Sequence, residues 1–138
     1  MRVVLVDDDN GFRESLAEVL RDHGHEVYAF ENPNICPLQM VPQCRCNENE
    51  VCTDMIITDL KMPAISGLQF IKTQKAKHCK CNCIVLISGD FTEEDMLTAK
   101  SIGCNIFTKP LQLDDFIGWV NNVSISPNRV LRDWFKSK

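Results

Sequence analysis

Four short apolar runs in this chain each stop on a polar residue, and that repetition limits the fold more than any other feature. Val3-Val4-Leu5-Val6 runs into Asp7-Asp8, Met55-Ile56-Ile57-Thr58 into Asp59, Ile84-Val85-Leu86-Ile87 into Ser88, and Ile106-Phe107-Thr108 into Lys109-Pro110. Runs this short, apolar at successive rather than alternate positions, read as strands covered on both faces. Strands of that kind lie parallel, joined by helical crossovers. If they lie side by side, three carboxylates, a hydroxyl and a lysine meet at one sheet edge.

The segments between the runs supply the helices. Gly11 to His23 carries Phe12, Leu16, Val19 and Leu20 on one helical face, and Gly24 stops it. Glu26–Phe30 is a further strand, and Leu68–Gln74 resumes a helical pattern through Ile71. Thr92-Glu93-Glu94-Asp95 has the form of a capping box opening a helix that ends at Gly103, and Leu113–Val123 forms a last helix burying Leu113, Phe116, Ile117 and Val120. Five strand–helix units predict an α/β domain over residues 1–123.

Two regions break this rhythm. Between Phe30 and Asp54, Pro33, Pro37 and Pro42 interrupt the expected second helix, and the same stretch carries Cys36, Cys44, Cys46 and Cys52. Residues 124–138 form a tail in which Ser126-Pro127 opens a short helix, with Val130, Leu131, Trp134 and Phe135 as an apolar stripe docked on its own domain.

With 138 residues there is room for one core, and a net charge of −4 provides no basic face for nucleic acid. The apolar residues before Asp7 are too few for a signal peptide and no segment is long enough to span a membrane, so the expected location is cytoplasmic. In that compartment eight cysteines point to metal binding, redox chemistry or burial rather than a disulfide framework.

The strand-end residues suit phosphoryl transfer, which depends mainly on positioning and on neutralising the charge of the transferring group. Asp59, after the central strand, is the candidate acceptor. Pro63 marks the end of that strand, and a nearby carbonyl can turn toward a cation. Asp7 and Asp8 are candidate Mg²⁺ ligands, since this ion takes few carboxylates and keeps several waters. Clustered carboxylates repel one another unless cations are present, which assigns Lys109 to the same site. Ser88 offers a hydroxyl to a phosphoryl oxygen, Gly89 lets its own N–H approach closely, and Lys109-Pro110 is a candidate cis peptide.

The order acid pair, acid, hydroxyl, lysine resembles the receiver domain of bacterial two-component response regulators. The matching stretches are Val3 through Asp9, Ile56 through Pro63 with Gly67-Leu68, Leu86-Ile87-Ser88-Gly89, and Gly103 through Lys109-Pro110. The resemblance implies a flavodoxin-like, doubly wound five-stranded parallel sheet of order 2-1-3-4-5. It implies that Asp59 accepts a phosphoryl group from a histidine kinase or phosphotransfer protein, and that Asp8, Asp59 and the Lys61 carbonyl bind Mg²⁺ with help from Asp7. Ser88 and Lys109 would sense the phosphoryl group and shift the surface of the fourth helix, fifth strand and fifth helix, where a downstream protein binds. Such a chain is a switch, a monomer or weak dimer, rather than an enzyme. One departure stands out: many receivers carry an aromatic residue three positions before the lysine, where this chain has Ile106. Phe107 is next to it but points to the opposite face.

Cys44-x-Cys46 and Cys52 precede the third strand, and Cys79-x-Cys81-x-Cys83 precedes the fourth. These strands are neighbours in the implied order, so up to six thiols can converge at the edge opposite Asp59. A structural Zn²⁺ site uses such ligands, as does an iron–sulfur cluster, while a thiol–disulfide switch and plain burial are the other readings. Cys83 and Cys104, at strand starts, suit the core. His23, His25 and His78 read as helix-end or turn residues, with His78 a spare ligand. Two other functions stay open: a metal- or redox-linked sensor on the same scaffold, and a phosphatase of the haloacid dehalogenase type. The second would make Asp7 the nucleophile, and Gly11 and the lack of a cap region do not fit it.

Overall fold

The computed structural model describes residues 1–123 and 129–130. Among these residues, five strands form one parallel sheet, β1 (Arg2–Val6), β2 (Glu26–Phe30), β3 (Met55–Asp59), β4 (Cys83–Ser88) and β5 (Asn105–Thr108), in the order β2-β1-β3-β4-β5. Five helices alternate with them: α1 (Asn10–Asp22), α2 (Pro37–Met40), α3 (Gly67–Ala76), α4 (Glu93–Ser101) and α5 (Leu113–Asn121). The doubly wound fold is as expected. Its element limits fall within a few residues of the sequence reading.

Continuous apolar strands fill two cores because successive side chains leave opposite faces of the sheet. Val4, Val6, Ile56, Ile84 and Leu86 meet Phe70 and Ile71 of α3, while Val3, Leu5, Ile57, Val85 and Ile87 meet Leu16 and Leu20 of α1 and Phe116 and Val120 of α5. Fully burying a side chain of this kind contributes about 1.5–3 kcal/mol, so the sheet is the main source of stability.

Local signals set the helix ends. The Asp9 carboxylate caps α1 by accepting from Phe12 N–H at 3.1 Å, and Gly24, at φ 86°, turns the chain out of it. Thr92 and Asp95 form the expected capping box, with bonds of 3.0 and 3.1 Å. β3 already ends at Asp59, four residues before Pro63. The strand therefore stops where its polar residues emerge, and the proline sits in the loop beyond.

The second helix is short, as its prolines require, and amounts to one turn. Pro33 opens a 3-10 turn at Pro33–Ile35, α2 is four residues long, and residues 41–54 run as loop up to β3. Most of the expected tail helix lies outside the described residues. Arg129 and Val130, which are described, hold the edge where β1 and β3 begin: Val130 N–H donates to Val51 O at 2.9 Å, and Arg129 pairs with the buried Asp54 at 2.5 Å. No described helix is long and apolar enough to cross a membrane.

Candidate functional site

Between β1 and β3 the strand order reverses, and the crevice at the C-terminal ends of those strands is where open α/β sheets bind ligands. Register carries the acids there: Val6 stands opposite Thr58, so Asp7 and Asp59 follow side by side. Asp7 is buried, Asp8 is exposed, and Asp59 is 8% exposed. Among the described residues, this trio is the one group of three or more metal-ligating side chains whose ligand atoms all lie within 4.8 Å of one another.

Lys109 reaches into the group from the end of β5. Its Nζ lies 3.0 Å from Asp7 Oδ2 and 3.8 Å from Asp59 Oδ1, and 4.3 Å from the centre of the Phe12 ring. The ring face supports the ammonium from below. The Lys109-Pro110 bond is cis, as expected. Ser88 is buried at the end of β4, its Oγ accepting from Asp90 N–H at 3.2 Å, and its carbonyl accepts from Lys109 N–H at 2.9 Å. The strand-end residues named from sequence thus come together.

Electrostatics leave the group short of positive charge. Burial, then the neighbouring Asp7, pushes the Asp59 carboxyl up to about 6, with Lys109 pulling the other way. Asp7 is also raised, first by burial, against the Asp9 N–H and Lys109 that favour its charged form. Three carboxylates against one ammonium fit a small divalent cation with oxygen ligands, and Mg²⁺ is the ion for which two carboxylates and several waters suffice.

The family profile described as the response regulator receiver domain matches residues 3–121. The chain belongs to that family. As a receiver it is built for phosphorylation-based signalling in two-component systems, a switch rather than a metabolic enzyme. It is 28% identical over 116 residues to sporulation initiation phosphotransferase F of Bacillus subtilis, covering 83% of this chain and 86% of that protein. It is 28% identical over 133 residues to the phosphate regulon transcriptional regulatory protein PhoB of Klebsiella pneumoniae, covering 94% of this chain but 55% of that one. Against several of these curated relatives the receiver thus spans about half the length. A response regulator receiver protein from Pseudomonas putida superposes with a TM-score of 0.74 at 28% identity, over 88% of this chain and 96% of that one.

Several parts of the receiver site had no assigned role in the sequence. Gly67, the first residue of α3, donates to Leu60 O at 2.8 Å, and a Cβ built on it would stand 2.1 Å from Asp59 O. Only glycine allows α3 to lie this close to the Asp59 backbone. At Gly89 a Cβ would lie 3.9 Å from Lys109 Cβ, so no protein atom requires glycine there. The Arg13 guanidinium donates to Asp7 O at 2.7 Å, and Thr58 Oγ1 to Asp59 O at 3.0 Å, bracing both backbones. A pattern search cannot find such contacts because they depend on the α1 and α3 packing angles.

The six expected thiol ligands divide in two. Cys44, Cys46, Cys52, Cys79 and Cys81 pack on the α3 face, whereas Cys83 faces α1 and α5, because strand alternation turns it away. Cys83 is therefore a core residue, and Asn105 Nδ2 lies 3.9 Å from its sulfur. Cys81 Sγ donates to Cys83 O at 3.4 Å. His78 is exposed, and all eight cysteines are free thiols.

Proposed function

We propose that this receiver takes a phosphoryl group on Asp59 from the phosphohistidine of a histidine kinase or phosphotransfer protein and thereby changes the surface it offers to a downstream protein. The observation that carries the reading is the Asp7, Asp8 and Asp59 trio, whose ligand atoms lie within 4.8 Å, with Lys109 3.0 Å from Asp7 and 3.8 Å from Asp59. Asp59 is the trio member in the centre of the sheet, with most of its carboxylate screened from solvent.

In this reading an Asp59 carboxylate oxygen attacks phosphorus in line, the P–N bond to the donor histidine breaks, and the electron pair leaves with the imidazole. Asp8, Asp59 and the Lys61 carbonyl would hold Mg²⁺, with Asp7 assisting; when bound, the ion neutralises charge on the phosphoryl oxygens. Lys109 leaves Asp7 for a phosphoryl oxygen, and the Ser88 hydroxyl, which accepts from Asp90 N–H, donates its own proton to another. A shared carboxylate cation and a singly bonded hydroxyl are cheap to redirect, which suits them to sensing.

The output face assigned to this reading is α4, β5 and α5. α4 supports that choice, because Ala99 is its one buried residue and Leu97 is 71% exposed. A helix held so lightly shifts at low cost. The location that goes with the reading is cytoplasmic.

Incubation with acetyl phosphate and Mg²⁺, read by intact mass, tests the assignment. The wild type gains one phosphoryl group, Asp59→Asn gains none, and Asp7→Asn still gains one, more slowly. Labelling that survives in Asp59→Asn but is lost in Asp7→Asn would instead favour a nucleophile on β1.

A further inference from the structure

At the sheet edge opposite Asp59, a cavity of about 20 Å³ is lined by Cys44, Cys46, Cys52 and Cys79, with Leu38, Arg45 and Lys77 among its other walls. Three separate features of the fold deliver these thiols. Cys52 lies just before β3 and Cys79 just before β4, and the pairing of Met55 with Cys83 sets those two approaches next to each other. The loop carrying Cys44 and Cys46 is tied to the end of α3 by Cys44 N–H donating to Lys77 O at 3.3 Å.

Cys79 is aimed by the way α3 ends. His78 adopts φ 60°, its N–H donates to Lys75 O at 3.0 Å, and Cys79 N–H donates to Gln74 O at 3.0 Å. These are the two bonds of a left-handed helix stop, a position glycine usually takes. Histidine bears the conformational cost there, and the chain after the helix folds back beneath it toward the Cys44 loop.

We propose that Cys44, Cys46, Cys52 and Cys79 bind one Zn²⁺ as a structural tetrathiolate site. Four thiols give up four protons to the solvent as four Zn–S bonds form, with no change of oxidation state. The cavity holds about one water-sized object, which suits a single ion better than a polynuclear iron–sulfur cluster. Zn–S bonds are about 2.3 Å, so the sulfurs draw in by side-chain rotation from their looser positions around the cavity.

Charge and packing support the same ligand set. Four thiolates around a dication carry a net charge of about −2, and Lys77 lines the cavity with its ammonium fixed on Leu38 O at 3.1 Å and Gln39 O at 2.9 Å. Cys81 is the adjacent thiol left out, because it is engaged with Cys83 O. The loop from Val41 to Asp54 stands where a longer second helix would bury apolar surface, and α2 supplies one turn. A metal clip supplies the missing cohesion, as in small domains that cannot build enough core. The site is independent of phosphorylation at Asp59.

The full chain, purified under reducing conditions, is tested by elemental analysis and by Co²⁺ substitution. The expected result is about one zinc per chain, thiolate-to-cobalt charge-transfer bands with tetrahedral d–d bands, and four thiols slow to react with Ellman's reagent until a chelator is added. Cys44→Ser, Cys46→Ser, Cys52→Ser and Cys79→Ser each lose most of the metal, whereas Cys83→Ser and Cys104→Ser keep it. If the first group proves insoluble, the wild-type cobalt spectrum and the thiol count still decide. A wild type that takes up neither zinc nor cobalt, a disulfide among these four residues, or metal loss in Cys83→Ser with retention in Cys44→Ser each overturns the proposal.

Discussion

At the level of single residues, the Asp59 carboxylate is under electrostatic load. Asp59 titrates near 6 because burial and Asp7 disfavour its charge, so its raised value stabilises the fold fully only below the ordinary carboxylate pKa. That stabilisation is lost as pH rises through about 6. In metal-free protein, ¹³C NMR of the Asp59 carboxyl should show a midpoint near 6 that moves down on adding Mg²⁺. Asp59→Asn should raise the melting temperature at pH 7.5 by a few degrees, equivalent to about 1–2 kcal/mol, with the gain fading below pH 5. Gly67→Ala acts in the opposite direction. Its Cβ would meet Asp59 O at 2.1 Å, a backbone atom that cannot swing aside, so urea unfolding should show a loss of about 2–3 kcal/mol. Acetyl phosphate labelling should slow in the same variant, since the displaced atom belongs to Asp59, the proposed acceptor.

Among the secondary-structure elements, the aromatic residue of β5 is committed to α5 rather than to α4. Phe107 stands 4.9 Å from both Phe116 and Trp119 in edge-on contacts, while Ile106 packs in the other core. An aromatic rotamer change at position 106 is therefore closed to this chain, and the ring against the Lys109 ammonium is Phe12 of α1 rather than a residue of β5. Phe107→Ala should cost about 2 kcal/mol in chemical denaturation, less than a fully buried Phe because the ring is half-buried. α4 is the counterpart, held by Ala99 and its capping box. Hydrogen exchange should be at least about tenfold faster in α4 than in α1, whose Leu16, Ala17 and Leu20 are buried.

Over the whole molecule, the two ends of one sheet carry different chemistry. Carboxylates and Lys109 occupy the C-terminal strand ends, and thiols occupy the N-terminal approaches to β3 and β4. Mg²⁺ binding at the first end should stabilise the protein by about 2.7 kcal/mol at a hundredfold excess over its dissociation constant. Thermal melts with and without Mg²⁺ should show the largest difference above pH 6, where Asp59 is charged in the metal-free fold.

The sequence by itself determined the parallel sheet, the acid, hydroxyl and lysine at its strand ends, and the helix caps at Thr92 and Gly24. Those features are local: a continuous apolar run, a polar residue after it and a capping side chain keep their meaning wherever the chain goes. What only the tertiary structure decided depends on register and packing. It set Asp7 and Asp59 side by side with Lys109 against both, and made Gly67 indispensable through the approach of α3. It brought Cys44, Cys46, Cys52 and Cys79 around one cavity. Residues far apart in the chain share no local signal, so their distances appear only once the sheet fixes them.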